Sequence, residues 1–316
     1  MSEARDPEEV QRQLAELKQW VAGQPQLPND LGDNLLTRFL HSCYYDLERA
    51  KTAINLFCTI RLNSPELLNN RDPESEKIQK TLKIVNLAQL KISGNRNLWI
   101  WQLNDPGLER YDYVQDARLF FLSTDAWLLN ETHLEDADVV LMDVKDISLK
   151  FLAKFNVSVA RKLSKYQEEA MPIRLKQIHL VNAPPFIDKI HALMKPFMKQ
   201  AHIDMVDGHE IERLSTFSLH LKTDTGPGLN SSIHFHSPKS ETLFNFIDKE
   251  ELPDEYGGTG GKMADHMKRV LEVIHQKREF LIKDNLWKAI DLKKSGKESK
   301  NDVPETLPSF RSLAID

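Results

Sequence analysis

Apolar residues recur at helical spacing through the first part of the chain. Val10, Leu14, Leu17 and Val21 form one stripe, and Leu31, Leu35, Leu36, Phe39 and Leu40 a second. A third follows Tyr45-Asp46 and runs through Leu47, Ala50, Ile54, Phe57, Cys58 and Arg61. Asp6-Pro7-Glu8-Glu9 predicts the start of the first helix, because an Asp cap, a Pro in the first turn and early acids all suit a helix N-terminus. Asn63-Ser64-Pro65 predicts the end of the third, and the acidic stretch Asn69 to Lys80 reads as a linker.

From about Leu82 the pattern changes to strands alternating with helices. Trp99 to Leu103 is a short strand closed by Asn104-Asp105-Pro106-Gly107, and Tyr113 to Leu129 is a helix. The run Val139 to Val144 has the continuous apolar character of a buried strand. Ser148 is expected to cap one long helix carrying Phe151, Phe155, Val159, Leu163 and Tyr166. Gln177 to Val181 is another strand, after which Pro184-Pro185 opens a helix with the stripe Phe186, Ile190, Leu193, Met194 and Phe197. Ile233 to His236 is a further strand, Ser240 to Ile247 a short helix, and Met263 to Leu292 one charged amphipathic helix. Strand, helix, strand, helix in this order implies crossover units, hence an α/β fold with a mainly parallel sheet. The expected domains are a helical module over 1–75, an α/β domain over 82–262, and a C-terminal helix with a disordered tail over 263–316.

Composition narrows the partners. A net charge of −5 over 316 residues supplies no general basic face for phosphates, so nucleic acid is not expected as a partner. The polar, acidic N-terminus is unlike a signal peptide, and Cys43 and Cys58 both fall in apolar helical patterns. A reducing, cytoplasmic setting is the expectation, and the chain is expected to be a monomer.

The search for chemistry finds little. Gly257-Gly258-Thr259-Gly260-Gly261 is preceded by Leu252-Pro253-Asp254-Glu255-Tyr256 and not by an apolar strand, so a turn outweighs a phosphate loop. His234 and His236 share one strand face, a spacing some metal ligands use, with His220 as a conceivable third; ordinary structural histidines are the better reading. Asp143 ends an apolar strand without a neighbouring base or nucleophile and reads as structural. No nucleophile elbow, HExxH or Cys-His set is present, so neither an enzyme nor a cofactor or metal is expected. Aromatic and Met residues around the alternating unit are by themselves ordinary core.

Three segments together change that reading. Leu36-Thr37-Arg38-Phe39-Leu40 with Tyr45 to Lys51 is the first. Met171 to Pro184, followed by Met194-Lys195-Pro196-Phe197, is the second. Leu252 to Gly258 is the third. In this order and spacing the chain resembles the CRAL-TRIO family of lipid-binding proteins, over roughly Leu31 to Gly258, and within it the branch of tocopherol and retinaldehyde carriers. The resemblance implies a sheet floor and helical walls around a pocket for a small hydrophobic lipid, closed by a mobile gate helix over Pro184 to Met198. The matching pocket positions are Trp101, Phe120, Thr124, Met142, Ile147, Phe155, Leu163, Met171, Leu175 and Ile178. Burying a terpenoid of ~20 carbons at ~0.8 kcal/mol per CH2 gives about 16 kcal/mol gross. Association costs on the order of 4–15 kcal/mol leave a releasable affinity.

The resemblance also implies exchange at a membrane surface. Arg61, Arg174 and Lys176 match part of the basic cleft with which some members bind phosphoinositides. The family's further basic residues past the gate are unmatched, and Lys199 to Ser232 intervenes where the family has a short link. The expected function is a cytoplasmic, membrane-visiting carrier of a retinoid, tocopherol, carotenoid or similar isoprenoid. The alternatives are phosphatidylinositol transfer and a membrane-docked regulatory module with a vestigial pocket.

Overall fold

A computed structural model describes residues 6–29, 31–187, 189, 192 and 232–292. The N-terminal stripes become helices α1 (Pro7–Ala22), α2 (Asp33–Ser42) and α3 (Leu47–Leu62). Asp6 caps α1 through the Glu8 amide, and Asp46 caps α3 through the Arg49 amide. Leu14, Leu17, Val21, Leu35, Leu36, Phe39, Leu40, Ile54 and Phe57 are buried, so the three stripes face one another. A short helix α4 (Pro65–Leu68) precedes the expected linker and buries Leu67 and Leu68, and the linker itself is in part helical, since α5 (Glu76–Leu82) begins within it and buries Ile78.

The sheet runs in the order β1 (Val85–Ile92), β2 (Arg96–Leu103), β3 (Ala137–Asp143), β4 (Leu175–Val181) and β5 (Ser232–Phe235). β1 and β2 are antiparallel and the other neighbours are parallel, which agrees with the mainly parallel α/β fold expected. The sequence reading passed over β1; its signal is Gly94-Asn95, both at positive φ, which lets the chain reverse within a few residues. Between β2 and β3 runs α6 (Tyr113–Asn130), capped by Asp112 through the Val114 and Gln115 amides.

The single long helix expected from Ser148 is instead broken. α7 (Lys150–Lys154) ends at Phe155, whose ψ is extended, and Asn156 restarts the chain by capping α8 (Val157–Lys165) through the Val159 amide. The Ser148 hydroxyl is buried and has no hydrogen-bond partner among the described residues, so it does not act as the expected cap. A π-helical turn, Tyr166–Ala170, then carries Tyr166 fully into the core against Phe57 and Phe121. The C-terminal helix is likewise interrupted at Lys277, between Met263–Gln276 and Arg278–Leu281.

Side chains alternate across the strands, so the sheet has two different faces. On one, Leu87, Trp99, Trp101, Val140 and Met142 look towards α6 and α8. On the other, Ala88, Ile92, Leu98, Ile100, Val139, Leu141 and Val181 pack against Leu243, Ile247, Leu252 and Met263. The glycine turn belongs to this second cover. Gly257 needs its φ of +80°, and a Cβ on Gly258 would lie 1.9 Å from the Leu252 carbonyl oxygen. The turn reading of the glycines therefore has a packing reason.

Candidate functional site: an apolar cavity between the sheet and its helices

A cavity of about 160 Å³ lies between the first face of the sheet and α6 and α8. Trp99 and Trp101 of β2, Val140 and Met142 of β3, and Leu175 of β4 form its floor. Tyr113, Asp116, Ala117, Phe120, Ser123 and Thr124 line it from α6, one turn after another. Leu163, Gln167, Met171 and Ile173 close a third side. Leu175 reaches the floor because the β3–β4 register shifts between Asp138 and Val139. That irregularity changes the alternation along β4, so Leu175 and Ile178 look to the same side although three residues apart.

Of the pocket positions expected from the sequence, Trp101, Phe120, Thr124, Met142, Leu163, Met171 and Leu175 line this cavity. Ile147, Phe155 and Ile178 do not. Ile147 is buried in the core just before α7, and Phe155 packs edge-on against Tyr113 and tilted against Phe151. Ile178 shares the cavity's side of the sheet but lies one strand position beyond the lining. Phe186 is half-buried and packs against the core, while Ile190, Leu193, Met194 and Phe197 lie outside the described residues, as does Lys199 to Ser231.

The sequence reading missed Trp99, Val140, Tyr113 and Asp116. Period-two spacing from Trp101 and Met142, and helical spacing back from Phe120, were the signals available. Asp116 is the acid among the lining residues. It accepts hydrogen bonds from Trp101 Nε1 and from the Tyr111 hydroxyl, each at 2.9 Å. Burial raises its pKa to about 6, against the pull of those two donors. The Ser123 hydroxyl is turned back to the Phe120 carbonyl.

Behind α6, away from the cavity, the helix is held by a buried ion cluster. Asp125 is fully buried and takes Arg61 through both its oxygens, with Arg71 on one of them. Burial disfavours the Asp125 carboxylate, but the two guanidiniums outweigh it and hold its pKa low. Arg61 also donates to the Tyr166 hydroxyl and lies under the rings of Phe57 and Trp287. This corrects the assignment of Arg61 to a membrane-facing basic cleft. At 1% exposure it is a core residue and offers nothing to a headgroup.

The structure does not bring Arg61 to the same partners as Arg174 and Lys176. Arg174 donates to the His41 carbonyl and stacks over the Tyr44 ring, and Lys176 donates to the Tyr44 hydroxyl. Both tie the start of β4 to the turn between α2 and α3. Their charges are largely committed to that junction.

The remaining chemical candidates settle as packing and hydrogen bonding. His179, His234 and His236 lie on the far face of the sheet around Phe246. His179 Nδ1 pairs with His236 Nε2 at 3.0 Å, and His236 Nδ1 with the Thr242 hydroxyl. Burial, and after it the neighbouring His234, lower the His236 pKa to about 4. Among the described residues no group of three or more His, Cys, Asp or Glu is placed to hold a metal ion. Asp143 accepts from Gln102, Asn182 and the Lys145 amide, which ties strand ends together. No helix among the described residues is long and apolar enough to cross a membrane.

Comparison with known proteins agrees with this architecture. The model of the CRAL/TRIO domain matches residues 95–225, and that of the Pinta-like UBA domain residues 6–78. The alpha-tocopherol transfer protein-like protein of Homo sapiens is 27% identical over 241 residues, which cover 76% of this chain and 62% of that protein. The Mus musculus protein of the same name matches to the same extent. Clavesin-2 of Rattus norvegicus is 22% identical over 261 residues, covering 80% of this chain and 70% of that protein. The chain thus spans just under two thirds of the tocopherol-type relatives. Residues 95–225, which hold β2, α6, β3 and β4 and most of the cavity lining, are the part of the chain that is similar to the CRAL/TRIO domain.

Proposed function

We propose that the chain binds one small hydrophobic lipid and carries it between membranes, without catalysing a reaction on it. The observation that carries this reading is the cavity of about 160 Å³, walled by tryptophan, phenylalanine, methionine and leucine side chains. Apolar surface left unfilled beside a sheet is a cost to folding unless a ligand takes it up. The family supports the same reading, since its members bind small hydrophobic lipids. The cargo proposed is an isoprenoid of the retinoid, tocopherol or carotenoid kind.

The size of the cavity refines the proposal. An engineered cavity of ~150 Å³ holds a benzene ring. The space here suits a ring-sized group, and a longer chain requires side chains to give way. Met142 and Met171, with three rotatable bonds each, are suited to that. Entry and exit would pass the segment from Pro184, whose apolar stripe suits a gate that rests on a membrane when open. The protein would then act in the cytoplasm and visit membranes peripherally, and the junction residues Arg174 and Lys176 would meet lipid headgroups only if released from Tyr44.

The test is extraction and mass spectrometry of lipid from protein purified out of cells. One isoprenoid per chain is expected. Absence of any lipid, together with no uptake from a panel of isoprenoids, would refute the carrier reading.

A further inference from the structure

In the cavity wall one residue is out of character. Asp116 sits among tryptophan, tyrosine and alanine side chains and keeps part of its surface open. That open surface belongs to the cavity lining. Its two oxygens each take one donor, Trp101 Nε1 and the Tyr111 hydroxyl. A carboxylate has about four lone-pair sites, so two donors leave about half its accepting capacity unused. A buried acceptor left in this state favours any ligand group that can donate to it.

We propose that Asp116 selects the polar end of the cargo, favouring a lipid alcohol, whose hydroxyl donates to the carboxylate, over the corresponding carboxylic acid. The inference rests on the carrier reading and deepens it. An alcohol brings one donor and makes a charge-assisted hydrogen bond in apolar surroundings, where such bonds are strong. An ether or hydrocarbon brings none and leaves the carboxylate as it was. A lipid carboxylate sets a second negative charge against the first where little water screens them, and is driven to bind as the neutral acid or not at all.

The other polar groups in the wall do not reverse this preference. Gln89, Gln167 and the hydroxyls of Tyr113 and Thr124 each offer both a donor and an acceptor, so they serve an alcohol and an acid alike. The Ser123 hydroxyl already donates to the Phe120 carbonyl. Burial raises the Asp116 pKa to about 6, which still leaves the charged form predominant at neutral pH.

The experiment uses the full chain, stripped of lipid, and three probes that share one twenty-carbon isoprenoid chain: the alcohol, its methyl ether and the acid. Binding is read from the fluorescence of the tryptophans in the cavity floor at neutral pH. The alcohol is expected to bind about tenfold or more tighter than the ether and the acid. In Asp116→Asn the ratio of alcohol to acid affinity is expected to fall towards one. Asparagine keeps an acceptor for Trp101 and offers its amide to the Tyr111 oxygen, which can turn to accept. Tyr111→Phe, which frees a further lone pair, is expected to raise the ratio, and it serves if the asparagine variant does not fold. Equal affinity for the three probes in the unaltered chain, or a ratio indifferent to both substitutions, would overturn the inference while leaving the carrier reading intact. A chain that takes up none of the three overturns the carrier reading, and this inference with it.

Discussion

The two faces of the sheet are built from the same five strands and end in opposite conditions. The far face is closed: Leu98, Ile100, Val139 and Leu141 are at most 2% exposed under Leu243, Ile247 and Leu252. The other face carries larger side chains, Trp99, Trp101 and Met142, and leaves space above them. More apolar bulk has not produced tighter packing there: Trp101 and Trp99 touch α6 at Asp116 and Trp127, yet space remains beside those contacts. What holds α6 in place is on its outer side, where Asp125 is gripped by Arg61 and Arg71. A ligand-accepting wall therefore takes its rigidity from behind, and the closed face takes its rigidity from contact.

Breaking the hold behind α6 is expected to have the largest effect. Asp125→Ala leaves two buried guanidiniums without their counter-charge, at a cost of about 3–5 kcal/mol in chemical denaturation. The next test compares two neighbours on one strand. Leu141→Ala opens a void in the closed face and is expected to cost about 3 kcal/mol, whereas Met142→Ala merely widens an existing cavity and is expected to cost about 1–2 kcal/mol. Equal losses for the pair would remove the distinction between the faces.

The faces should also part in their response to acid. Asp116 has its folded pKa raised to about 6 from 3.8, so the folded state takes up its proton first and gains stability as pH falls through that interval. His236 has its folded pKa lowered to about 4 from 6.5. The unfolded chain takes up that proton first, and stability is lost as pH falls through this interval. Melting temperature against pH is expected to fall more steeply in Asp116→Asn and less steeply in His236→Asn. The smallest effect on stability should come from filling the space. Val140→Phe is expected to change stability by about 1 kcal/mol or less. It should nonetheless sharply reduce lipid uptake from vesicles.

Much of this was legible along the chain, for physical reasons that differ by region. The stripes of α1, α2 and α3 and the run at Val139 report burial directly, because a helix face and a buried strand each impose a simple period on apolar residues. The break between α7 and α8 was not legible. Phe155 and Val159 keep helical spacing across it, and only the cap at Asn156 marks the restart. The cavity was legible in kind but not in membership. Ile147 and Phe155 are as apolar as Leu163 and Met171, yet the first two lie on the near side of the break at Asn156 and only the last two, beyond it, reach the space. Arg61 shows the same limit: a basic residue on a helix stripe reads as surface until the acid that pairs with it, far along the chain, is in place.

The ion cluster at Asp125 has one more implication. Arg61 and Arg71 come from the segment that matches the UBA model, residues 6–78, and Asp125 from the one that matches the CRAL/TRIO model, residues 95–225. The far end of the chain closes over the same place: Trp287 covers Arg61, and the amides of Ala289 and Ile290 donate to the carbonyls of Cys58 and Gln26. A border drawn by kinship thus passes through the middle of a thermodynamic unit. Cutting the chain there would strand buried charge on both pieces, so the two modules should melt together in one transition and neither should be obtainable as a well-behaved fragment.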